Sequence, residues 1–140
     1  MKKNEPISKI MTKEVITLTL DDSLQKAERL FKKHHIRHIP VVDEEKQLIL
    51  GMLSLTDLNR LCFVDSYDDN ASADTAIYNM LSIGQIMANN PVKVSSQSVI
   101  KDVATLLASK EFHALPVVDN EKLVGIVTTT DLLNYLIDIC

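Results

Sequence analysis

Turn-forming residues are scarce in this chain, which has 3 glycines and 4 prolines among 140 residues. Gly51, Gly84 and Gly125 stand far apart, so no glycine-rich phosphate loop can be assembled from them. Cysteine is equally rare. Cys62 and the terminal Cys140 show no CxxC spacing, which excludes a disulfide scaffold and reads as free thiols in a reducing compartment. No stretch approaches the roughly 18 apolar residues of a membrane span. After Met1, residues 2–5 are polar and lead into Pro6 where a signal peptide would turn apolar, and Cys140 is last rather than fourth from the end, which excludes a prenylation signal. A cytoplasmic protein that does not engage a membrane is therefore expected. A basic excess is missing too. Fifteen Lys and Arg against 19 Asp and Glu leave a net charge of -4, which argues against nucleic acid as a partner.

The chain does hold an ordinary globular balance, 46% apolar and 24% charged, with enough length for a core. Its rarest residues also recur. Pro40-Val41-Val42-Asp43 returns 76 residues later as Pro116-Val117-Val118-Asp119. Gly51 and Thr56-Asp57-Leu58 return 74 residues later as Gly125 and Thr130-Asp131-Leu132. Ile7, Ile10-Met11 and Leu30 match Ile83, Ile86-Met87 and Leu106, again 76 apart. Two copies of one unit thus fill most of the sequence, and the two-residue difference in spacing predicts a longer turn in the first.

Each copy reads alike. A short amphipathic turn (residues 7–11 and 83–87) leads into an extended stretch (15–20 and 92–95). A helix follows in each copy. Asp21, Asp22 and Ser23 offer capping oxygens ahead of Leu24, Ala27, Leu30 and Phe31, and Ser98 stands ahead of Ile100, Val103, Leu106 and Leu107 at the same helical spacing. Two short apolar, β-branched runs then predict paired buried strands, 39–42 with 48–53 and 115–118 with 123–127. A second helix opens at Thr56-Asp57 and at Thr130-Asp131. The expected fold is α/β (α+β), two β-α-β-β-α repeats packed sheet to sheet as a pseudo-twofold pair, since one such unit cannot cover its own apolar face. The domains divide as 1–64, an acidic linker and connecting helix over 65–82, and 83–140. The first 64 residues carry 11 basic and 9 acidic side chains, 65–82 carry 4 Asp, and 83–140 carry 4 basic and 6 acidic. The linker thus accounts for the whole acidic excess.

The ordered set Ile-Met, Pro-Val-Val-Asp and Gly-hydrophobic-hydrophobic-Ser/Thr-x-x-Asp, occurring twice in register over about 7–61 and 83–136, resembles a tandem pair of CBS domains, or Bateman module. The resemblance implies a non-catalytic regulatory module that binds adenosine-containing ligands, AMP, ADP, ATP or S-adenosylmethionine, in clefts between the two repeats. No obligatory cofactor is implied. The residue chemistry is compatible. One carboxylate at a helix start can accept both hydroxyls of a ribose, a role for Asp57 and Asp131. Ser54 and Thr128 stand three residues earlier, with Thr56 and Thr130 beside the carboxylates, where a helix N-terminus favours phosphate. By resemblance, phosphate would also meet Arg37 and His38 in the first copy and His113 in the second, where Ala114 replaces the second basic residue. Adenine would lie against Val15, Ile16 and Thr17 in one cleft and Pro91 and Val92 in the other, with Lys93 standing in place of a commoner Thr.

Each assignment has a plainer structural counterpart. Asp57 and Asp131 could simply cap helices. Arg37 and His38 could form a solvated strand edge after the basic helix end Lys32-Lys33-His34-His35. His34, His35 and His38 have no Cys or carboxylate at a familiar ligand spacing, so no metal is expected. The acidic 65–74 stretch lacks the central Gly and terminal Glu of a calcium loop. With four scattered histidines and no phosphate loop, an enzyme is not expected. The expected protein is a sensor that works as a homodimer, through the apolar face of residues 132–139, and signals ligand occupancy to a separate effector protein. The alternative is a structural homodimer with empty clefts.

Overall fold

A computed structural model describes residues 4–63, 80–110 and 113–140. Leu24, Ala27 and Phe31 fall on one face of a helix, and all three are buried. That helix, α1 (Leu24–His34), starts where Ser23 Oγ accepts the Lys26 N–H at 3.1 Å and ends where His35 turns left-handed with φ 53°. Lys32, Lys33 and His34 fill its last turn, where cations suit the helix dipole. The counterpart helix, Ile100–Lys110, begins differently. The hydroxyl of Ser98, expected as its cap, instead accepts the Ser95 N–H at 3.1 Å and shapes the preceding turn.

In chain order a 3-10 turn (Ile7–Lys9) precedes α1, β1 (His38–Val42), β2 (Ile49–Ser54) and α2 (Leu55–Phe63). There follow α3 (Ile83–Ile86), β3 (Ala88–Asn89), α4 (Ile100–Lys110), β4 (Ala114–Asp119), β5 (Lys122–Thr128) and α5 (Thr129–Ile139). The linker at 65–74, and the expected helix before Met80, lie outside the described residues. β1 pairs antiparallel with β2, and β4 with β5, each pair slipping register at the same place, Val41/Val42 and Val117/Val118. The leading strand of each repeat shrinks to one parallel bridge, Leu18 beside Val41 and Val94 beside Val117. Both bridges are held alike: Val42 N–H donates to Leu18 O, and Val118 N–H to Val94 O, each at 2.8 Å. The longer first turn is present. Residues 43–48 separate the paired strands in the first repeat, with Gln47 at φ 57°, whereas Asn120 and Glu121, both at positive φ, close the tighter second hairpin.

Sequence repeats and compact units divide the chain differently. One unit is Ile16–Asn90; the other joins Met1–Val15 to Pro91–Cys140. The turn that opens each repeat is therefore built into the unit formed by the other repeat's hairpin. In the first unit, β3 pairs with β2 through Gly51 opposite Asn89 and Met52 opposite Ala88. In the second, Thr12 bridges Ile126 by two backbone hydrogen bonds of 2.8 and 3.0 Å. Glycine explains why the segments lie so close. A Cβ at Gly51 would collide with Met87 Sδ and lie 2.8 Å from the Ala88 carbonyl oxygen. At Gly125 it would lie 2.7 Å from Met11 Sδ and 2.9 Å from the Thr12 carbonyl oxygen. The repeated Ile-Met and Gly are two halves of one contact.

Each unit has its own core. Leu18, Leu24, Ala27, Phe31, Ile39, Val41, Leu53, Leu58 and Ile83 form the first; Ile7, Ile100, Val103, Leu107, Leu115, Val117 and Val127 form the second. Full burial of one such aliphatic side chain stabilises by roughly 1.5–3 kcal/mol, so Ile83 and Ile7 anchor their short segments. In contrast α5 has no fully buried residue, and Leu133, Leu136 and Ile137 are exposed, Ile137 by 72%. Among the described residues no helix is long and apolar enough to cross a membrane.

Candidate ligand site

The end of β2 and the start of β1 meet because the hairpin is antiparallel, which sets Ser54 opposite His38. The Leu55 N–H donates to Arg37 O at 2.8 Å, so the first turn of α2 rises beside the basic pair. Ser54 Oγ accepts the Asp57 N–H at 3.0 Å, so Ser54 satisfies one of the unpaired donors of a helix start. The Asp57 carboxylate takes Arg60 Nη1 at 3.3 Å. That pair is open to solvent, with the arginine side chain 75% exposed, and such pairs stabilise by only about 0–1 kcal/mol. A ligand hydroxyl could displace it at little cost. Arg37 and Thr56 are exposed, and His38 is half-buried. Ile16 and Thr17, half-buried, precede the Leu18 bridge to β1 in the same unit. Val15 falls to the other unit, so two of the three residues expected against adenine share a unit with Asp57.

In the second repeat Ala114 is opposite Thr128, and the Thr129 N–H donates to His113 O at 3.0 Å. Here the helix start closes on itself. Thr128 Oγ1 accepts the Asp131 N–H at 3.1 Å, and Asp131 Oδ2 accepts the Thr128 N–H at 2.9 Å, a reciprocal cap. Thr12 Oγ1 adds a donor to the same carboxylate, 3.3 Å from Oδ1 and 3.4 Å from Oδ2. His113 and Thr130 are exposed, Ala114 is buried in β4, Pro91 is half-buried and Val92 is 44% exposed.

Ser54, Thr56, Asp57, Arg37 and His38 thus gather at one strand–helix junction, and Thr128, Thr130, Asp131 and His113 at the equivalent one. Among the described residues, no group of three or more His, Cys, Asp or Glu is placed to hold a metal ion. The CBS domain model matches the chain twice, over residues 7–63 and 83–138. The chain belongs to the CBS-domain family. This CBS pair is 31% identical over 133 residues to the uncharacterized protein MJ1225 of Methanocaldococcus jannaschii, which aligns with 95% of this chain. The chain spans 43% of that relative's length. Among solved structures, the CBS domain pair of MJ0100 in complex with 5′-methylthioadenosine and S-adenosyl-L-methionine superposes with a TM-score of 0.77 at 25% identity. It covers 97% of this chain and 98% of that one. CBSX2 in complex with AMP gives a TM-score of 0.79 at 25% identity, covering 96% of this chain and 97% of its own.

Among the described residues, the side chains of Thr12 and Arg60 touch the two carboxylates of the CBS pair, although the repeated motifs include neither. Arg60 carried a signal, an Asp and Arg three residues apart on one helix face. Thr12 carried none, because 119 residues separate it from Asp131.

Proposed function

We propose that this CBS pair is a non-catalytic sensor of adenosine-containing ligands, of the AMP, ADP, ATP or S-adenosylmethionine class, and that it works in the cytoplasm. The observation that carries the proposal is the same junction built twice: a carboxylate in the first turn of a helix, a hydroxyl three residues before it, and a basic residue just ahead of the neighbouring strand, Arg37 in one copy and His113 in the other. Asp57 and Asp131 take the ribose hydroxyls, and the helix starts with Arg37, His38 and His113 take phosphate or another polar tail. Adenine lies against Ile16 and Thr17 at the first site and Pro91 and Val92 at the second. Similarity along almost the whole chain to pairs solved with AMP and with S-adenosylmethionine supports this ligand class. The free, exposed thiol of Cys140 fits a reducing compartment.

Ligand binding would act by linkage: whichever arrangement holds the ligand better gains population, and an effector protein that prefers it gains affinity by the same factor. A homodimer through Leu133, Leu136 and Ile137 would cover the apolar face of α5. Thermal melting with millimolar AMP, ADP, ATP and S-adenosylmethionine is the test. At ligand concentrations 100 times Kd, stabilisation is about 2.7 kcal/mol, which raises the melting temperature by several degrees. No shift with any of them contradicts the sensor reading. The reciprocal cap at Asp131 favours one other reading, a structural homodimer that binds no ligand, because that carboxylate already has a structural role. A dimer by sedimentation with flat melting curves would establish that reading instead.

A further inference from the structure

Resting on the ligand reading above, we infer that Thr12 is a positioning residue of the Asp131 site, so that occupancy of this site is linked to docking of the amino-terminal segment. Thr12 is fixed by its own backbone: its N–H donates to Ile126 O at 2.8 Å and its carbonyl accepts the Ile126 N–H at 3.0 Å. Only its side-chain torsion is left free, and the hydroxyl lies 3.3 and 3.4 Å from the two oxygens of Asp131. A carboxylate has about four acceptor positions. The Thr128 N–H and the Thr12 hydroxyl use part of that capacity and hold the carboxylate plane, leaving room for both hydroxyls of a ribose. The first repeat lacks the device. Ala88, opposite Met52, occupies the place that Thr12 occupies beside Ile126, and has no hydroxyl to offer Asp57.

The segment carrying Thr12 is tied down along its length. Ile7 is buried in the second unit's core, the Ile7 N–H donates to Ser98 O at 2.7 Å, and Tyr135 Oη donates to Glu5 Oε2 at 2.9 Å. A ligand that orders Asp131 through its ribose therefore also strengthens the hold on Thr12, and linkage makes the effect reciprocal. Residues 5–12 become a reporter of the second site, with no counterpart of that kind at the first.

Hydrogen exchange on the wild type, Thr12→Val and Thr12→Ser, with and without millimolar AMP, tests this. Valine keeps the β-branch and the bridge to Ile126 while removing the hydroxyl; serine restores it. The expected result is that AMP slows exchange of the residue 12 and Ile126 amides by about threefold or more in wild type and Thr12→Ser, and not in Thr12→Val; one hydrogen bond of about 1 kcal/mol corresponds to roughly fivefold. If AMP protects the helix starts at residues 128–131 or 54–57 while the residue 12 and Ile126 amides respond alike in all three proteins, the role of Thr12 is overturned and the ligand reading stands. If AMP protects neither helix start in the wild type, both fall together.

Discussion

Two helix starts with nearly the same sequence, Ser-Leu-Thr-Asp at 54–57 and Thr-Thr-Thr-Asp at 128–131, leave their carboxylates in different states. Asp131 closes a reciprocal cap and receives Thr12. Asp57 lends its N–H to Ser54 and gives its carboxylate to an exposed arginine. A carboxylate engaged by its own helix is costly to redirect, while one held by a surface ion pair is not. On the proposed reading, the first site, with Arg37 and His38 beside it, would be the readier to take phosphate and ribose, while the Asp131 helix start is the better-built structural element.

The largest expected effect probes what the two units share. Gly51→Ala pushes a methyl against Met87 and the Ala88 carbonyl, and Gly125→Ala against Met11 and the Thr12 carbonyl. Each is expected to lower stability in denaturant by about 1–3 kcal/mol through overpacking, with Gly51 the worse because its contact is the tighter. Equal stability to wild type would mean that the Met segments do not sit where described. Next in size is the carboxylate pair. Asp131→Ala should cost about 1 kcal/mol by removing the carboxylate that accepts the Thr128 N–H in the reciprocal cap. Asp57→Ala should cost at most a few tenths, the usual scale of an exposed pair. A reversal of that order in urea titrations would break the contrast.

Acid and alkali should also divide the units. Burial raises the carboxyl of Asp22, but the Thr19 N–H at 2.8 Å and Lys26 at 3.0 Å outweigh it, leaving the group below the usual carboxylate range. A depressed folded value adds stability above the unfolded value and loses it as pH falls through the folded one, so α1 in the first unit weakens below about pH 4. Tyr135, hydrogen-bonded to Glu5, with burial and the carboxylate's charge adding to the effect, titrates above its ordinary range. Its contribution is present below about pH 10 and is lost as pH rises further, which loosens the amino-terminal segment on the second unit. Asp22→Asn should remove the acid sensitivity and Tyr135→Phe the alkaline one; melting curves across pH that do not change in these variants would refute the two assignments.

Much of this was legible in the residues. The rare Pro and Gly recurrences located both hairpins, the apolar spacing located α1 and α4, and the 76 and 74 offsets foretold the longer first turn that residues 43–48 form. Other features lie beyond pattern. Ile7 and Ile83 read as the apolar side of short amphipathic turns, but apolarity does not say which sheet they cover, and each joins the unit of the other repeat's hairpin. Ser23 and Ser98 look like the same cap, yet the hydroxyl of Ser98 serves a turn, because a serine oxygen takes whichever N–H the backbone presents. Asp43 and Asp119 end identical motifs. Asp43 bonds locally to the Glu45 N–H, whereas Asp119 accepts the N–H and hydroxyl of buried Ser96. Leu20 holds the position equivalent to Ser96, so the partner rather than the motif decides the role.

Titration of isotope-labelled protein with AMP, followed by amide NMR, reads both helix starts of the CBS pair in one experiment. Amides of residues 54–57 and 37–38 are expected to shift and saturate at lower AMP concentration than those of residues 128–131 and 113. Saturation in the opposite order contradicts the ranking of the two sites, and unmoved amides at both helix starts in millimolar AMP contradict the ligand site itself.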